Sequence, residues 1–259
     1  MRWCRVETSA GPSFGLVHED AVEVVEGSPF AQWKSTSERI PLTEAKLLVP
    51  VMPPTFYAIG SNYRDHVLKM AASGGRKPLF YERPRVGYRA NSALIATGED
   101  IVKPTESSEE FQYEAELVAV IGRKCRNASR DQATASIFGW TIGNDVSERV
   151  WQEKDQTNIR GKNCDTFKPM GPWIDTSADV SKMRTLVSLN GLVVHDFSTA
   201  AMLFDAADVI VEISRTCTLS PGDVVWLGTD DKPRNMKPGD RIEIEITGLG
   251  KLANNVVAG

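Results

Sequence analysis

The sequence predicts a β-rich α+β fold in which a small N-terminal domain precedes one large domain. Short apolar or alternating segments, bounded by glycine and proline, outnumber the segments with helical spacing. Two Pro-Gly-Asp turns, at 221–223 and 238–240, each precede a strand-like segment, as in a sheet built from hairpins. A chain of 259 residues is long enough to bury the core of one large and one small domain.

Composition and charge exclude several classes of protein. The formal net charge of −4 gives no sign of binding to nucleic acid or to a membrane surface. No apolar run approaches the roughly 18 residues of a membrane-spanning helix, and the N-terminus lacks the apolar core of a signal peptide. The four cysteines are scattered without a CxxC motif, which argues against a disulfide framework and a zinc site. These features predict a protein of the reducing cytoplasm.

Residues 1–50 form the predicted small domain. Strand-like patterns cover residues 2–8 and 14–27, and residues 28–40 are a helix candidate. The consecutive prolines Pro53 and Pro54 interrupt helices and sheets alike. The second domain is therefore predicted at residues 51–259.

A short helix near the start of the second domain is a candidate lid. Residues 56–60 predict a buried strand, a polar cluster at 61–70 opens a helix, and Gly74 and Gly75 follow. A short helix on a glycine-rich tether can close over an active site. His66 in this helix is either an ordinary surface histidine or a residue of that site.

Residues 78–89 are strongly cationic for their length. Arg83, Arg85 and Arg89 could hold an anionic ligand through bidentate contacts. The alternative is a solvated basic loop. In an extended segment Arg83 and Arg85 share a face, so two guanidinium groups could reach one anion.

Residues 113–122 (YEAELVAVIG) predict a buried strand with an acidic start. Because side chains alternate along a strand, Glu114 and Glu116 point the same way, with their Cα atoms roughly 6.6 Å apart. Two carboxylates on one face at the end of an apolar strand need a compensating charge, and a hard cation with oxygen ligands is the simplest candidate. The alternative is an exposed strand end, where both glutamates are solvated.

Asp145 and Lys162 are two further candidate residues of the site. Residues 139–143 predict a buried strand that ends close to Asp145, which either caps the following helix together with Glu148 or adds a third carboxylate to the site. Lys162 lies in an irregular stretch beside a glycine. It is either exposed or, near a metal, a proton donor or electrostatic stabiliser.

The last third of the sequence predicts strands at 186–192, 224–229 and 241–247 and a packed helix at 202–213.

The order of these motifs resembles that of the fumarylacetoacetate hydrolase family. The resemblance runs from about residue 56 to the C-terminus and rests on residues 60–66 (GSNYRDH), 113–122 (YEAELVAVIG), 139–149 (GWTIGNDVSER), 161–167 (GKNCDTF), 171–173 (GPW), 219–223 (LSPGD) and 228–229 (GT). It implies a mixed β-sandwich or β-roll catalytic domain behind a small N-terminal domain, usually in a homodimer.

The resemblance also implies the roles of individual residues. Glu114, Glu116 and Asp145 are implied as ligands of Mg²⁺ or Mn²⁺. His66 would be the base on a closing lid, and Lys162 would stabilise or protonate the developing anion. The residues implied to line or bind the substrate are Arg149, Gln152 and Thr229.

The implied function is hydrolysis of a C–C bond in a 2,4-dioxo acid, an acylpyruvate, to pyruvate and a carboxylic acid in catabolism. Such a substrate could chelate the metal through its carboxylate and keto oxygens. The alternative is a decarboxylase, hydratase or isomerase of a 2-oxo acid that uses the same chelate. A metal-binding relative without activity is disfavoured, because the ligand residues and Lys162 are all present.

The sequence departs from the family pattern in three places. Family hydrolases often pair the lid histidine with a glutamate three residues later, and Lys69 stands there. Residues 228–233 differ from the usual Gly-Thr-Pro-x-Gly loop. Arginine replaces a common lysine at position 83, and Arg85 and Arg89 are additional charges. These arginines predict that the preferred substrate carries a second carboxylate, as maleylpyruvate and fumarylpyruvate do.

Overall fold

The computed structural model describes residues 1–230 and 232–259. The α-helices are α1 (Arg64–Ser73), α2 (Arg130–Ser136), α3 (Arg149–Lys154), α4 (Ile159–Lys162) and α5 (Ala206–Ser214). The strands are β1 (Arg2–Thr8), β2 (Gly11–Val17), β3 (Ala21–Gly27), β4 (Trp33–Pro41), β5 (Leu47–Leu48), β6 (Phe56–Gly60), β7 (Arg85–Tyr88), β8 (Leu94–Ile95), β9 (Ile101–Lys103), β10 (Phe111–Gln112), β11 (Ala115–Ile121), β12 (Ile137–Asn144), β13 (Ser147–Glu148), β14 (Lys168–Asp175), β15 (Arg184–Leu189), β16 (Leu192–Ser198), β17 (Val224–Trp226), β18 (Arg241–Ile246) and β19 (Gly250–Ala258).

Two large sheets and one two-stranded sheet organise these strands. The larger sheet has the order β4-β3-β2-β1-β14-β12-β11-β17-β6-β7, with β5 beside β1 and β8 beside β14. The second runs β16-β15-β18-β19-β9, and β10 pairs with β13. The sheets mix parallel and antiparallel pairs, because β17 runs parallel to β6 and β19 parallel to β9. This strand-rich architecture with few helices confirms the predicted α+β fold.

The first four strands extend the large sheet. They form an antiparallel meander, which joins the following strands where β1 pairs with β14. The helix predicted at residues 28–40 is wrong, because β4 forms the edge of this meander and pairs with β3. Its short polar and charged side chains are mostly exposed, so the hydrogen bonds to β3 decide the conformation in place of local helical propensity.

Strand β11 lies at the centre of the core, and all seven of its residues are buried. Its alternate side chains enter two different hydrophobic clusters. Leu117, Ala119 and Ile121 pack towards α5 and the five-stranded sheet, whereas Val118 and Val120 pack with Trp226 and other residues of the large sheet. Strand alternation therefore places Glu116 on the same face as Val118 and Val120, at the end of the strand.

Most of the other predicted elements are present with small shifts of their ends. The helix predicted at 202–213 is α5, and the polar cluster with His66 opens α1. Both α2 and α5 begin with capping boxes, centred on Ser129 and Asp205. Among the described residues, the helices are too short or too polar to cross a membrane.

Candidate metal site and active-site cleft

Three buried carboxylates converge where β11 and β12 lie side by side. Ala115 of β11 is paired with Asn144 of β12, so Glu114 and Glu116 lie beside Asp145, the residue that follows β12. One ligand oxygen from each carboxylate lies within 4.8 Å of the others. All three side chains are almost completely excluded from solvent. The structure thus brings together the three residues implied as metal ligands.

Glu114 is held as a carboxylate by two buried cations. Arg149 Nη2 donates to Glu114 Oε1 at 2.6 Å, and Lys162 Nζ donates to Glu114 Oε2 at 2.7 Å. Burial alone would raise the pKa of Glu114, but the charges of Arg149 and Lys162 outweigh it and lower the pKa to about 2. Glu114 therefore remains ionised at neutral pH.

Asp145 contacts three cations. Arg89 Nη2 and Lys162 Nζ each lie 2.8 Å from Asp145 Oδ2, and Lys168 Nζ lies 2.7 Å from Oδ1. Burial would raise the pKa of Asp145, but these three charges hold it well below its usual value. The interpretation of Asp145 as a helix cap is wrong, because Glu148 caps α3 by accepting the backbone N–H of Trp151.

Glu116 has a different environment from the other two carboxylates. Its Oε2 accepts the backbone N–H of Gly228 at 2.7 Å. Burial, together with the negative charges of Asp145 and Glu114, raises the pKa of Glu116 well above its usual value. Among the three carboxylates, Glu116 is therefore the one whose charge the described contacts compensate least.

The three carboxylates fit a divalent metal ion. They offer only hard oxygen ligands, which suit Mg²⁺ and Mn²⁺, and a buried divalent cation would supply the charge that Glu116 needs. At most three positions are taken by protein ligands, so an octahedral ion would keep positions for water or substrate oxygens.

A cleft of about 1420 Å³ opens onto the carboxylates. His66 is half-buried on α1 and lines this cleft, and its proximity helps to lower the pKa of Glu114. Lys162 is buried at the end of α4, where its Nζ also contacts Ser147 Oγ at 2.7 Å. The structure therefore places both predicted catalytic residues on the cleft that leads to the three carboxylates.

Three predicted substrate-contacting residues also line the cleft. Gln152 on α3 accepts a hydrogen bond from Arg149 Nη1 at 3.0 Å, and Thr229 is buried directly after Gly228. Asp231, in the loop that departs from the family pattern, lies outside the described residues.

The structure separates the three arginines of the cationic segment. Arg89 contacts the candidate metal ligand Asp145, and Arg85 lines the outer part of the cleft, where it stacks on Tyr81. Arg83 lies outside the cleft and pairs with Glu212 on α5 at 2.7 Å. The prediction that all three arginines share one anionic ligand is therefore wrong, because Arg83 is outside the cleft and Arg89 is paired with Asp145.

Sequence reasoning missed two side chains that hold the site. Gln112 accepts from Arg149 Nε at 2.8 Å and donates to Asn235 Oδ1 at 2.8 Å, which fixes the guanidinium that pairs with Glu114. Lys168 supports Asp145. The available signal for Lys168 was a charged residue between apolar residues at the start of a strand, because such a side chain is buried only with a partner.

Comparisons with known proteins agree with this geometry. Residues 55–257 match the family model described as Fumarylacetoacetate (FAA) hydrolase C-terminal, and residues 1–50 match one described as Rv2993c-like, N-terminal. The human protein named oxaloacetate tautomerase FAHD2A, mitochondrial, is 32% identical over 231 residues, which cover 84% of this chain and 71% of the relative.

Two solved structures are similar over their whole length. The 5-carboxymethyl-2-hydroxymuconate delta-isomerase from Mycobacterium smegmatis is 33% identical, with a TM-score of 0.90 and 100% of both chains covered. Maleylpyruvate hydrolase from Sphingobium sp. SYK-6, in complex with manganese(II) ion and pyruvate, is 25% identical, with a TM-score of 0.79 and 100% of both chains covered. Because residues 55–257 match the family model and these proteins are similar to this chain, the chain belongs to the fumarylacetoacetate hydrolase family.

Proposed function

We propose that this protein is a divalent-metal-dependent enzyme that converts a bound 2-oxo acid into its enolate, and that its overall reaction is the isomerisation or tautomerisation of a 2-oxo dicarboxylic acid. Mg²⁺ or Mn²⁺ would be held by Glu114, Glu116 and Asp145. The bound ion would act as a Lewis acid on the 2-oxo oxygen.

The position of Lys162 carries this proposal. Its Nζ is buried at the carboxylates, 2.7 Å from Glu114 and 2.8 Å from Asp145, and the side chain lines the cleft. A proton-bearing cation in a site with little water stabilises negative charge as it develops on a neighbouring oxygen. It can also carry a proton to or from a substrate atom. Enolisation needs both the stabilisation of the developing negative charge and the transfer of a proton.

Isomerisation requires no activated water, and two observations favour it. Lys69 lies on α1 where family hydrolases often carry the glutamate that pairs with the lid histidine. The isomerase from Mycobacterium smegmatis and the human tautomerase are also more similar to this chain than the maleylpyruvate hydrolase is. In this reaction His66 and Lys162 are the two cleft residues that would move the proton.

Hydrolysis of a C–C bond in an acylpyruvate such as maleylpyruvate or fumarylpyruvate is the second candidate. It is favoured by His66, which lies on a helix beside the cleft and could deprotonate a water molecule. Cleavage of a 2,4-dioxo acid by water would release the enolate of pyruvate and a carboxylic acid. Lys162 would then stabilise and protonate that enolate.

Product analysis in oxygen-18 water separates the two reactions. Oxaloacetate and fumarylpyruvate would be incubated with the Mg²⁺-loaded protein and followed by mass spectrometry and ultraviolet absorption. Isomerisation changes the absorption and leaves the carbon skeleton of the compound intact, with oxygen-18 entering only through exchange of the keto oxygen with water. Hydrolysis of fumarylpyruvate produces pyruvate and fumarate with oxygen-18 in one new carboxylate, and that outcome would replace the first candidate by the second.

The outer cleft supports a substrate with a second carboxylate. Its described lining includes the cations Arg76, Lys77, Arg85, Lys232 and Arg234. Arg85 is fixed by Tyr81, whose hydroxyl accepts from Arg85 Nη1 at 3.1 Å. A guanidinium held in this way can bind a carboxylate with two parallel hydrogen bonds.

Replacing Arg85 with methionine should remove the preference for dicarboxylates. We expect kcat/KM for a dicarboxylic 2-oxo acid to fall by about tenfold, or about 1.4 kcal/mol of transition-state binding, because the distal carboxylate loses its partner. A 2-oxo acid with a neutral tail should react at an unchanged rate. The matched control is Arg83→Met, which lies outside the cleft and should leave both rates unchanged. Equal losses on both substrates would give Arg85 a structural role only.

The homodimer and the cytoplasmic location that the sequence indicates stay predictions. Size-exclusion chromatography with light scattering measures the first of them.

A further inference from the structure

Lys168 is a buried cation to which the proposed reaction gives no role. It begins β14, between Phe167 and Pro169, and its side chain is 0% exposed. Its Nζ donates to the backbone oxygens of Val146 and Phe167 at 3.0 and 2.9 Å, and lies 2.7 Å from Asp145 Oδ1. A buried ammonium group is costly unless its hydrogen bonds are made, and here three acceptors surround it.

The contacts of Lys168 divide the Asp145 carboxylate into two ends. Lys168 approaches Oδ1 and does not line the cleft, whereas Lys162 and Arg89 approach Oδ2 and do line it. Arg89 Nε also reaches Oδ1, at 3.1 Å. The carboxylate is thus fixed from behind by Lys168, and its Oδ2 is directed to the side from which an ion or substrate enters.

Fixed carbonyl partners make Lys168 suitable for holding Asp145. Its two backbone acceptors belong to the residue after Asp145 and to the residue before Lys168 itself, so Nζ is attached to the local backbone on both sides. Lysine side chains in solvent lose much rotamer freedom when they form a salt bridge, whereas this one is already immobilised by packing. Hydrogen bonds behind a metal ligand orient it, and their removal typically weakens metal binding by about 10–100-fold.

We propose that Lys168 is a positioning residue of the metal site, which holds Asp145 through Oδ1 so that Oδ2 is presented to a divalent metal ion. The proposal rests on the metal site of the proposed function and does not depend on which reaction the enzyme completes. Because Lys168 acts through Asp145, its effect should be visible in metal binding itself, without substrate.

The test is the affinity of the purified protein for Mn²⁺, measured by titration calorimetry without substrate. Lys168→Met removes both the charge and the hydrogen bonds, and we expect it to weaken Mn²⁺ binding by about 10–100-fold. Lys168→Gln removes the charge but keeps a hydrogen-bond donor, on a side chain one atom shorter than lysine. It should bind Mn²⁺ within about threefold of the wild-type protein or more tightly, because hydrogen bonding, and not charge, positions Asp145.

A matched control uses another lysine with similar partners. Lys103 on β9 is half-buried, donates to Ser107 O and Oγ at 3.3 and 2.7 Å, and does not line the cleft. Lys103→Met should leave Mn²⁺ affinity unchanged. Thermal unfolding of each variant shows whether it is folded, and if Lys168→Met does not fold, the comparison of Lys168→Gln with the wild type remains.

Three results would overturn the proposal. Unchanged Mn²⁺ affinity in the methionine variant would exclude positioning through hydrogen bonds. If the methionine variant does not fold, a glutamine variant that binds Mn²⁺ much more weakly than the wild type would exclude it. Tighter binding in both variants would show that Lys168 acts by repelling the metal. A folded wild-type protein that binds no Mn²⁺ would overturn the metal site and this proposal together. The other results would overturn this proposal and leave the metal site intact.

Discussion

Replacing Glu116 with glutamine should abolish metal-dependent turnover while the protein remains folded. Glutamine keeps the shape of the side chain, and its amide oxygen can still accept the backbone N–H of Gly228. It cannot provide the negative charge that a divalent ion requires at this position. We expect kcat/KM to fall by more than the roughly 10²–10³-fold that follows the loss of a single charge-stabilising donor, because the whole Lewis acid is weakened.

Thermal unfolding should separate this effect from misfolding. Without metal, the charge on Glu116 is disfavoured by burial and by Asp145 and Glu114, so its removal should leave the melting temperature unchanged or raise it. Glu245→Gln, at an exposed position on β18, is the matched control and should retain full activity. Full activity of Glu116→Gln, or of the wild-type protein in excess chelator, would contradict the assignment of the metal site.

The second large effect is expected from His66. His66→Ala should lower kcat by about 10²–10⁴-fold, the usual contribution of a general acid or base. The protein should keep its affinity for Mn²⁺, because His66 is not one of the three carboxylate ligands. Activity would be measured under saturating substrate, together with Mn²⁺ titration of the same variant.

His18 provides the control for this experiment. It is 42% exposed, pairs with Glu23 in the N-terminal meander and lies far from the cleft in sequence and sheet order. His18→Ala should leave kcat unchanged. A His66→Ala variant with wild-type kcat would remove His66 from the reaction and leave Lys162 as the group that moves the proton.

The sequence was most informative where the chemistry depends on local periodicity. Strand alternation was enough to place Glu114 and Glu116 on one side, since adjacent residues of β11 point to opposite faces. The pairing of β11 with β12, which brings Asp145 to them, depends on register between two strands. Local patterns do not determine that register. The prediction that Asp145 joins the two glutamates came from the order of the family motifs.

Long-range packing explains what the sequence did not predict. Residues of β4 are polar and compatible with a helix, but pairing along the edge of the meander selects the strand. Arg83 and Arg89 are equally cationic in the sequence. Strand β7 pairs with β6 and directs Arg89 to Asp145, whereas Arg83 precedes β7 and meets Glu212 on α5. The role of Lys168 could not be predicted from its neighbours in the sequence, because its partners belong to the loop around Asp145 that folds over it.

Hydrogen exchange at C3 of pyruvate tests the central claim, enolisation of a bound 2-oxo acid at a metal site, most directly. Pyruvate would be incubated in deuterium oxide with Mg²⁺ and the protein, and the loss of its methyl protons followed by NMR. We expect exchange faster than with Mg²⁺ alone, and we expect this increase to be lost in excess chelator and in Glu116→Gln. A rate equal to that of Mg²⁺ alone, from a folded protein that binds the metal, would contradict the account.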